Sequence, residues 1–214
     1  MNTVWNNVDE FEKLIANYAG SEYAVAVDSC TNALFLSFKY CKDVLELGDW
    51  FVEVPKQTYI SVPMQAINAG YKVKFVDKSW SGSYNLGNLP IIDSAQRFCS
   101  QMYVEDTFYC LSFNFKKILS TGKGGMILTN DEYAAQWFKR MRYDGRPSIF
   151  YNDMLYRPVT DIGYHMYMAP EQAVMGIQNF YALNKNRDSD SSCSADYQVD
   201  LSKLDCFNEN NCIR

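Results

Sequence analysis

The sequence predicts an α/β fold, a three-layer sandwich with helices on both faces of a mostly parallel sheet. Three observations carry this. Short apolar runs alternate with helical-period segments from Asn7 to Val76, the βαβα order that builds parallel sheets. Length and composition, 214 residues with 48% hydrophobic and 21% charged, supply one sizeable core and exclude disordered and fibrous classes. Polar residues also recur at the ends of the apolar runs, where the loops of such sheets gather ligands.

The elements follow in order. Val8, Phe11, Leu14, Ile15 and Tyr18 recur at helical spacing, so Asn7 to Tyr18 reads as a helix. Asn7 with Glu10 can cap it, and Gly20 stops it. Tyr23 to Val27 is a buried strand, and an apolar helix runs from Asn32 to about Tyr40. Phe51 to Val54 is the next strand, ended by Pro55; Val62 to Ala69 is helical, and Lys72 to Val76 is strand. Ser79 to Pro90 shows no periodicity and reads as a connection. Strands are expected at Leu89–Ile92, Phe108–Leu111 and Gly125–Thr129, ending at Asp93, Ser112 and the Asp131 cap of a helix to about Met141. Arg142 to Asp161 is irregular, and Pro170 opens a helix to Leu183. From Arg187 onward little apolar material remains, so 187–214 is expected to be a weakly ordered tail after a domain spanning 1–186.

Several function classes fall away. Twenty Lys+Arg against 25 Asp+Glu leave a net charge of -5, without the basic surplus of a nucleic-acid binder. No run approaches the ~18 apolar residues of a membrane span, and no signal peptide is visible. The seven cysteines include no C-x-x-C pair, so reduced thiols in the cytoplasm are expected, with neither a disulfide framework nor a metal site. A lone histidine, His165, excludes sites that need two imidazoles. Ser120 to Gly125 looks like a phosphate loop, but Lys117 stands where its first glycine belongs, and Ile127 spoils a dinucleotide fingerprint.

A different constellation remains. Thr31, Tyr59, Asp93 with Gln96, Ser112 and Lys117 stand at the ends of separate apolar strands. A carboxylate, an amine, an aromatic ring and hydroxyls at a helix start could hold a flat, cationic, phosphorylated ring. Pyridoxal phosphate bound as a lysine Schiff base fits that description, and on composition and spacing it is one reading among several.

Specific segments go further. Tyr23-Ala24-Val25-Ala26-Val27, Asp28-Ser29-Cys30-Thr31-Asn32-Ala33-Leu34, Asp93-Ser94-Ala95-Gln96, Ser112-Phe113-Asn114-Phe115-Lys116-Lys117, Thr121-Gly122-Lys123-Gly124-Gly125 and Gly163-Tyr164-His165 follow one another in order. Together they resemble the strand, S-G-T-x-A-L, D-x-A-Q, S-F-x-x-x-K, T-G-E-G-G and G-Y-N segments of the DegT/DnrJ/EryC1/StrS family of sugar aminotransferases, over roughly Phe11 to Leu183.

The resemblance implies the large domain of the aspartate-aminotransferase fold, with pyridoxal phosphate as cofactor. It implies transamination of a nucleotide-linked keto-sugar with glutamate or glutamine as donor, in a homodimer with shared sites. Lys117 would carry the cofactor and shuttle a proton, with Lys116 as the competing lysine. Asp93 would pair with the ring nitrogen, Gln96 with the ring hydroxyl, and Tyr59 would stack on the ring. Thr31, the Asn32 backbone and Ser112 would hold the phosphate at a helix start. His165 stands where the family has an asparagine that reaches a neighbouring subunit's phosphate; Tyr167, Lys123 and Cys30 are further departures. Between Leu86 and Leu89 a strand, helix and loop of the family shrink to Gly87-Asn88, which should cost sheet continuity. The small C-terminal domain is largely absent. A degenerate member that binds cofactor or a partner without turnover, or a truncated fragment, is the competing expectation.

Overall fold

The computed structural model describes residues 5–47, 51–146, 159–183, 194–207 and 211–213. Its elements are α1 (Asn6–Ala19), β1 (Tyr23–Val27), α2 (Cys30–Asp43), β2 (Phe51–Pro55), α3 (Ser61–Asn68), β3 (Lys72–Val76), β4 (Tyr84–Asn85), β5 (Ile91–Ser94), β6 (Phe108–Ser112), β7 (Gly125–Thr129), α4 (Glu132–Met141), α5 (Pro170–Ala182) and β8 (Cys212–Ile213). The irregular stretch expected at 142–161 falls partly outside the described residues, as does part of 187–214.

The α/β class stands. Period-two alternation in the strands sorts the core into two clusters. Val25, Val27, Cys110 and Ile127 face α2 and α4 on one side. Ala24, Ala26, Tyr109, Leu111, Met126 and Leu128 face α1 and α5 on the other. Strands buried on both faces read as continuous apolar runs, which is why their bounds were visible in sequence.

The strands form two sheets, of order β1-β7-β6-β5-β4 and β2-β3-β8. The β5–β6, β2–β3 and β3–β8 pairs are parallel; β1–β7, β6–β7 and β4–β5 are antiparallel. The antiparallel β4–β5 pair has a local cause: residues 86–90 between the two strands are too few for a crossover, so the chain returns alongside its predecessor. The sheet is interrupted where the shortened Leu86–Leu89 turn stands. Gly87 has φ of 59°, and a Cβ there would lie 2.8 Å from the backbone nitrogen of Glu53 in β2. The turn thus presses directly against β2.

Two sequence expectations are corrected. Helix α1 starts a residue early, after Trp5, with no side-chain cap; Asn7 and Glu10 lie inside it and form no capping box. The Trp5 ring packs on Tyr143 and Tyr167 at 5.7 and 5.2 Å, and this tertiary contact sets the helix start. Ser79 to Pro90, read as a connection without periodicity, contains β4, whose Tyr84 is opposite Asp93 in β5. Its two-residue length gives no period to read.

Candidate active site

Helix α2 opens immediately after β1. Ser29 has extended backbone, and its Oγ accepts from the Asn32 N–H at 3.2 Å, an N-cap that starts the helix two residues before the apolar period does. This turn sits against β7: a Cβ on Gly125 would lie 2.3 Å from the Ser29 carbonyl carbon. A glycine is therefore required there to bring the α2 start beside the end of β6.

Thr31, Tyr59, Asp93, Gln96, Ser112 and Lys117 line one cleft of about 430 Å³, at the carboxyl ends of β1, β2, β5 and β6. That volume lies within the usual range for small-molecule sites. Thr31 Oγ1 lies 2.9 Å from Ser61 Oγ, which ties the start of α2 to the start of α3. Tyr59 is 56% exposed and presents its ring at the mouth.

Asp93 is 4% exposed. The Tyr84 hydroxyl donates to its Oδ2 at 2.7 Å, and the Ala95 N–H donates to Oδ1 at 2.9 Å. Burial pushes the Asp93 carboxyl above its ordinary range, against the pull of Tyr84, Ala95 N–H and Lys117. Burial, with Asp93 beside it, also pushes the Tyr84 hydroxyl well up. Tyr84 therefore stays a donor, and Thr58 Oγ1 meets its oxygen from the other side. Cys30, at the floor of the same cleft, is pushed well up by burial first and Asp93 second, so it stays a thiol with little nucleophilic character.

Lys117 Nζ donates to Gln96 Oε1, and Gln96 Nε2 donates to the Tyr197 hydroxyl at 2.5 Å. Lys116 also lines the cleft, but its Nζ lies over the exposed Phe115 ring at 5.6 Å. Lys123 at the rim pairs with Asp28 at 3.3 Å.

Asn32 and His165 lie outside the cleft lining. The Asn32 amide is taken by the Ser29 cap, and its side chain donates to Asp28 Oδ1 at 2.7 Å. His165 is exposed, with Nδ1 3.1 Å from Asp144 Oδ1 and its ring against Tyr167. Tyr84, Thr58 and Tyr197 were missed in the sequence. Tyr84 sits in an aperiodic stretch, and Tyr197 in a polar segment with nothing to mark it. The described residues of that segment pack on the body: Ser194 N–H donates to the Trp80 carbonyl at 3.0 Å, Leu201 N–H to that of Lys56 at 2.9 Å, and Phe207 meets Phe75.

The residues fit pyridoxal phosphate. An amine, hydroxyls at a helix start and an open aromatic face share the cleft with a carboxylate. Each Asp93 oxygen accepts one bond, and a carboxylate offers about four acceptor sites, which leaves capacity for a ring N–H.

Fold and cleft together define an α/β protein with a lysine-centred site at its strand ends. The chain belongs to the DegT/DnrJ/EryC1/StrS aminotransferase family, whose sequence model matches residues 1–86 and 95–211. The match breaks at the shortened turn. The chain is 22% identical to a UDP-4-amino-4,6-dideoxy-N-acetyl-beta-L-altrosamine transaminase of Campylobacter jejuni, over 94% of its own length and 63% of that protein's. It is 24% identical to a GDP-perosamine synthase of Caulobacter vibrioides, over 95% of itself and 66% of the relative. The chain thus spans about three fifths of the first of these relatives (63%). The crystal structure of sugar aminotransferase CalS13 from Micromonospora echinospora shares the fold with a TM-score of 0.67 at 15% identity, over 82% of this chain and 60% of that one. Among the described residues no helix is long and apolar enough to cross a membrane.

Proposed function

We propose that this chain binds pyridoxal phosphate at Lys117 and serves transamination of a nucleotide-linked keto-sugar, with glutamate or glutamine as amino donor. One observation carries the reading: Lys117, Gln96, Asp93, Tyr59, Thr31 and Ser112, drawn from separate loops, converge on one cleft. The nucleotide-sugar enzymes among the relatives support the substrate class.

When bound, the cofactor supplies an aldehyde that takes up the donor's amine and a ring that accepts an electron pair from the amine-bearing carbon. Lys117 Nζ holds the cofactor and moves the proton at that carbon. Gln96 Oε1 orients the amine. Asp93 holds the proton on the ring nitrogen, and a cationic N–H facing it offsets the desolvation that burial imposes on its carboxylate. Tyr59 covers one ring face and excludes water. Thr31 and Ser112 hydroxyls hold the phosphate; the Asn32 amide contributes only by sharing its proton with the Ser29 cap. His165, beside Asp144 and outside its own cleft, is assigned to a neighbouring subunit's phosphate in a homodimer. The protein is placed in the cytoplasm. We read 1–186 as the cofactor-binding domain and 187–214 as a remnant of the C-terminal domain, which the pairing of β8 with β3 supports.

A second reading, cofactor binding without sugar turnover, is favoured by the interruption of the sheet at Leu86–Leu89. The absorption spectrum of the protein mixed with pyridoxal phosphate tests both. A visible band that is lost in Lys117→Ala supports cofactor binding, and its conversion by added glutamate to the pyridoxamine form supports transamination. A band unmoved by glutamate favours the second reading, and no band in folded wild-type protein sinks both.

A further inference from the structure

We infer that Tyr197 is a positioning residue for Lys117, acting through Gln96. An amide is two-ended: towards an ammonium only its oxygen is acceptable, and its NH2 then needs an acceptor elsewhere. Gln96 is arranged in this way, with Oε1 towards Lys117 Nζ and Nε2 donating to the Tyr197 hydroxyl at 2.5 Å. The phenol is firmly seated. Its ring lies 5.6 Å from that of Trp80, which is itself fixed by a bond from Nε1 to the Gln57 carbonyl at 2.9 Å. Ser194 grips Trp80 in both directions, its N–H on the carbonyl and its Oγ on the N–H. A segment distant in sequence therefore supplies the acceptor that keeps the Gln96 oxygen on the lysine. With that acceptor removed, the amide can turn, and the ammonium form of Lys117 loses a hydrogen bond.

The inference rests on the proposed function for what Lys117 does, and its test does not need the cofactor. Full-length protein without cofactor is treated with formaldehyde and cyanoborohydride at neutral pH, and methylation is followed by fragment mass spectrometry at Lys117, with Lys116 as internal control. Only the neutral amine reacts. Tyr197→Phe keeps the ring on Trp80 and leaves Asp93, Cys30, Tyr59, Lys116 and Lys123, the other charged or titratable groups of the cleft around Lys117, in place. It is expected to raise the Lys117 rate at least about threefold, the change in neutral fraction for half a pKa unit, with Lys116 unchanged. In a Gln96→Ala background the same substitution should have no effect. An unchanged rate in Tyr197→Phe overturns the inference, as does an equal rise with and without Gln96. If the visible band forms with pyridoxal phosphate while the methylation rate is unmoved, the inference fails and the function stands. The expected methylation pattern without a band has the opposite meaning.

Discussion

Replacing Tyr84 with phenylalanine removes one hydroxyl from between Thr58 and Asp93. Asp93 is 4% exposed, so its carboxylate is held by few groups and depends on each. A hydrogen bond to a charged group contributes about 1.5–3 kcal/mol, a neutral one about 1 kcal/mol. The Asp93 carboxyl already lies above its ordinary range because it is buried. A raised carboxyl pKa favours the folded state below the ordinary carboxylate range, where the group is protonated in both states, and that advantage is lost as pH rises through the folded pKa. Loss of the Tyr84 donor raises this pKa further and deepens the loss. Urea unfolding of cofactor-free protein should show Tyr84→Phe destabilised by about 1.5–3 kcal/mol at neutral pH and by only about 1 kcal/mol below the ordinary carboxylate range. In an Asp93→Asn background the pH dependence should vanish. An equal loss at both pH values would refute the reasoning, because the hydroxyl would then be serving packing or Thr58 and not the carboxylate.

Two further outcomes follow from the body of the fold. Glu12 is desolvated, but Arg142, Lys139 and the Ala26 N–H together outweigh that and hold its carboxyl below the ordinary range; its contribution is present above that range and lost as pH falls. Glu12→Gln should cost about 3–5 kcal/mol in denaturant unfolding at neutral pH, as expected when one partner of a buried pair is removed. Gly125→Ala puts a Cβ against the Ser29 and Cys30 backbone. It should cost about 3 kcal/mol, the upper range for overpacking, and should weaken pyridoxal phosphate binding through displacement of the α2 start; full affinity in a folded variant would contradict that placement.

Much of the scaffold was legible because its central strands are buried on both faces. Tyr23–Val27 and Gly125–Thr129 emerge with the bounds expected of them, since unbroken apolar runs between turn residues leave little choice; Lys72–Val76, half-buried, was legible from lysines alternating with apolar residues. What failed was set by contacts between distant residues. The start of α1 depends on Trp5 meeting Tyr143 and Tyr167, and β4 exists only because Tyr84 finds β5. The site divides in the same way. Lysine, carboxylate, amide and hydroxyls at strand ends were visible, because strand ends are where a sheet presents loops. Tyr84 and Tyr197 were not, because a side chain that supports another carries no mark in its own neighbourhood. Asn32 stands apart for a local reason: the serine three residues before it captures the amide.

The pairing of β1 with β7 also bears on how the chain reaches this state. Tyr23 is partnered by Thr129, so β1 cannot enter its sheet until β7, far along the chain, is available. Such long-range closures slow folding and leave strand edges open meanwhile. The cleft, whose walls range from Ser29 to Tyr197, is completed later still. Lys117 thus acquires its full surroundings only when the segment that carries Tyr197 docks.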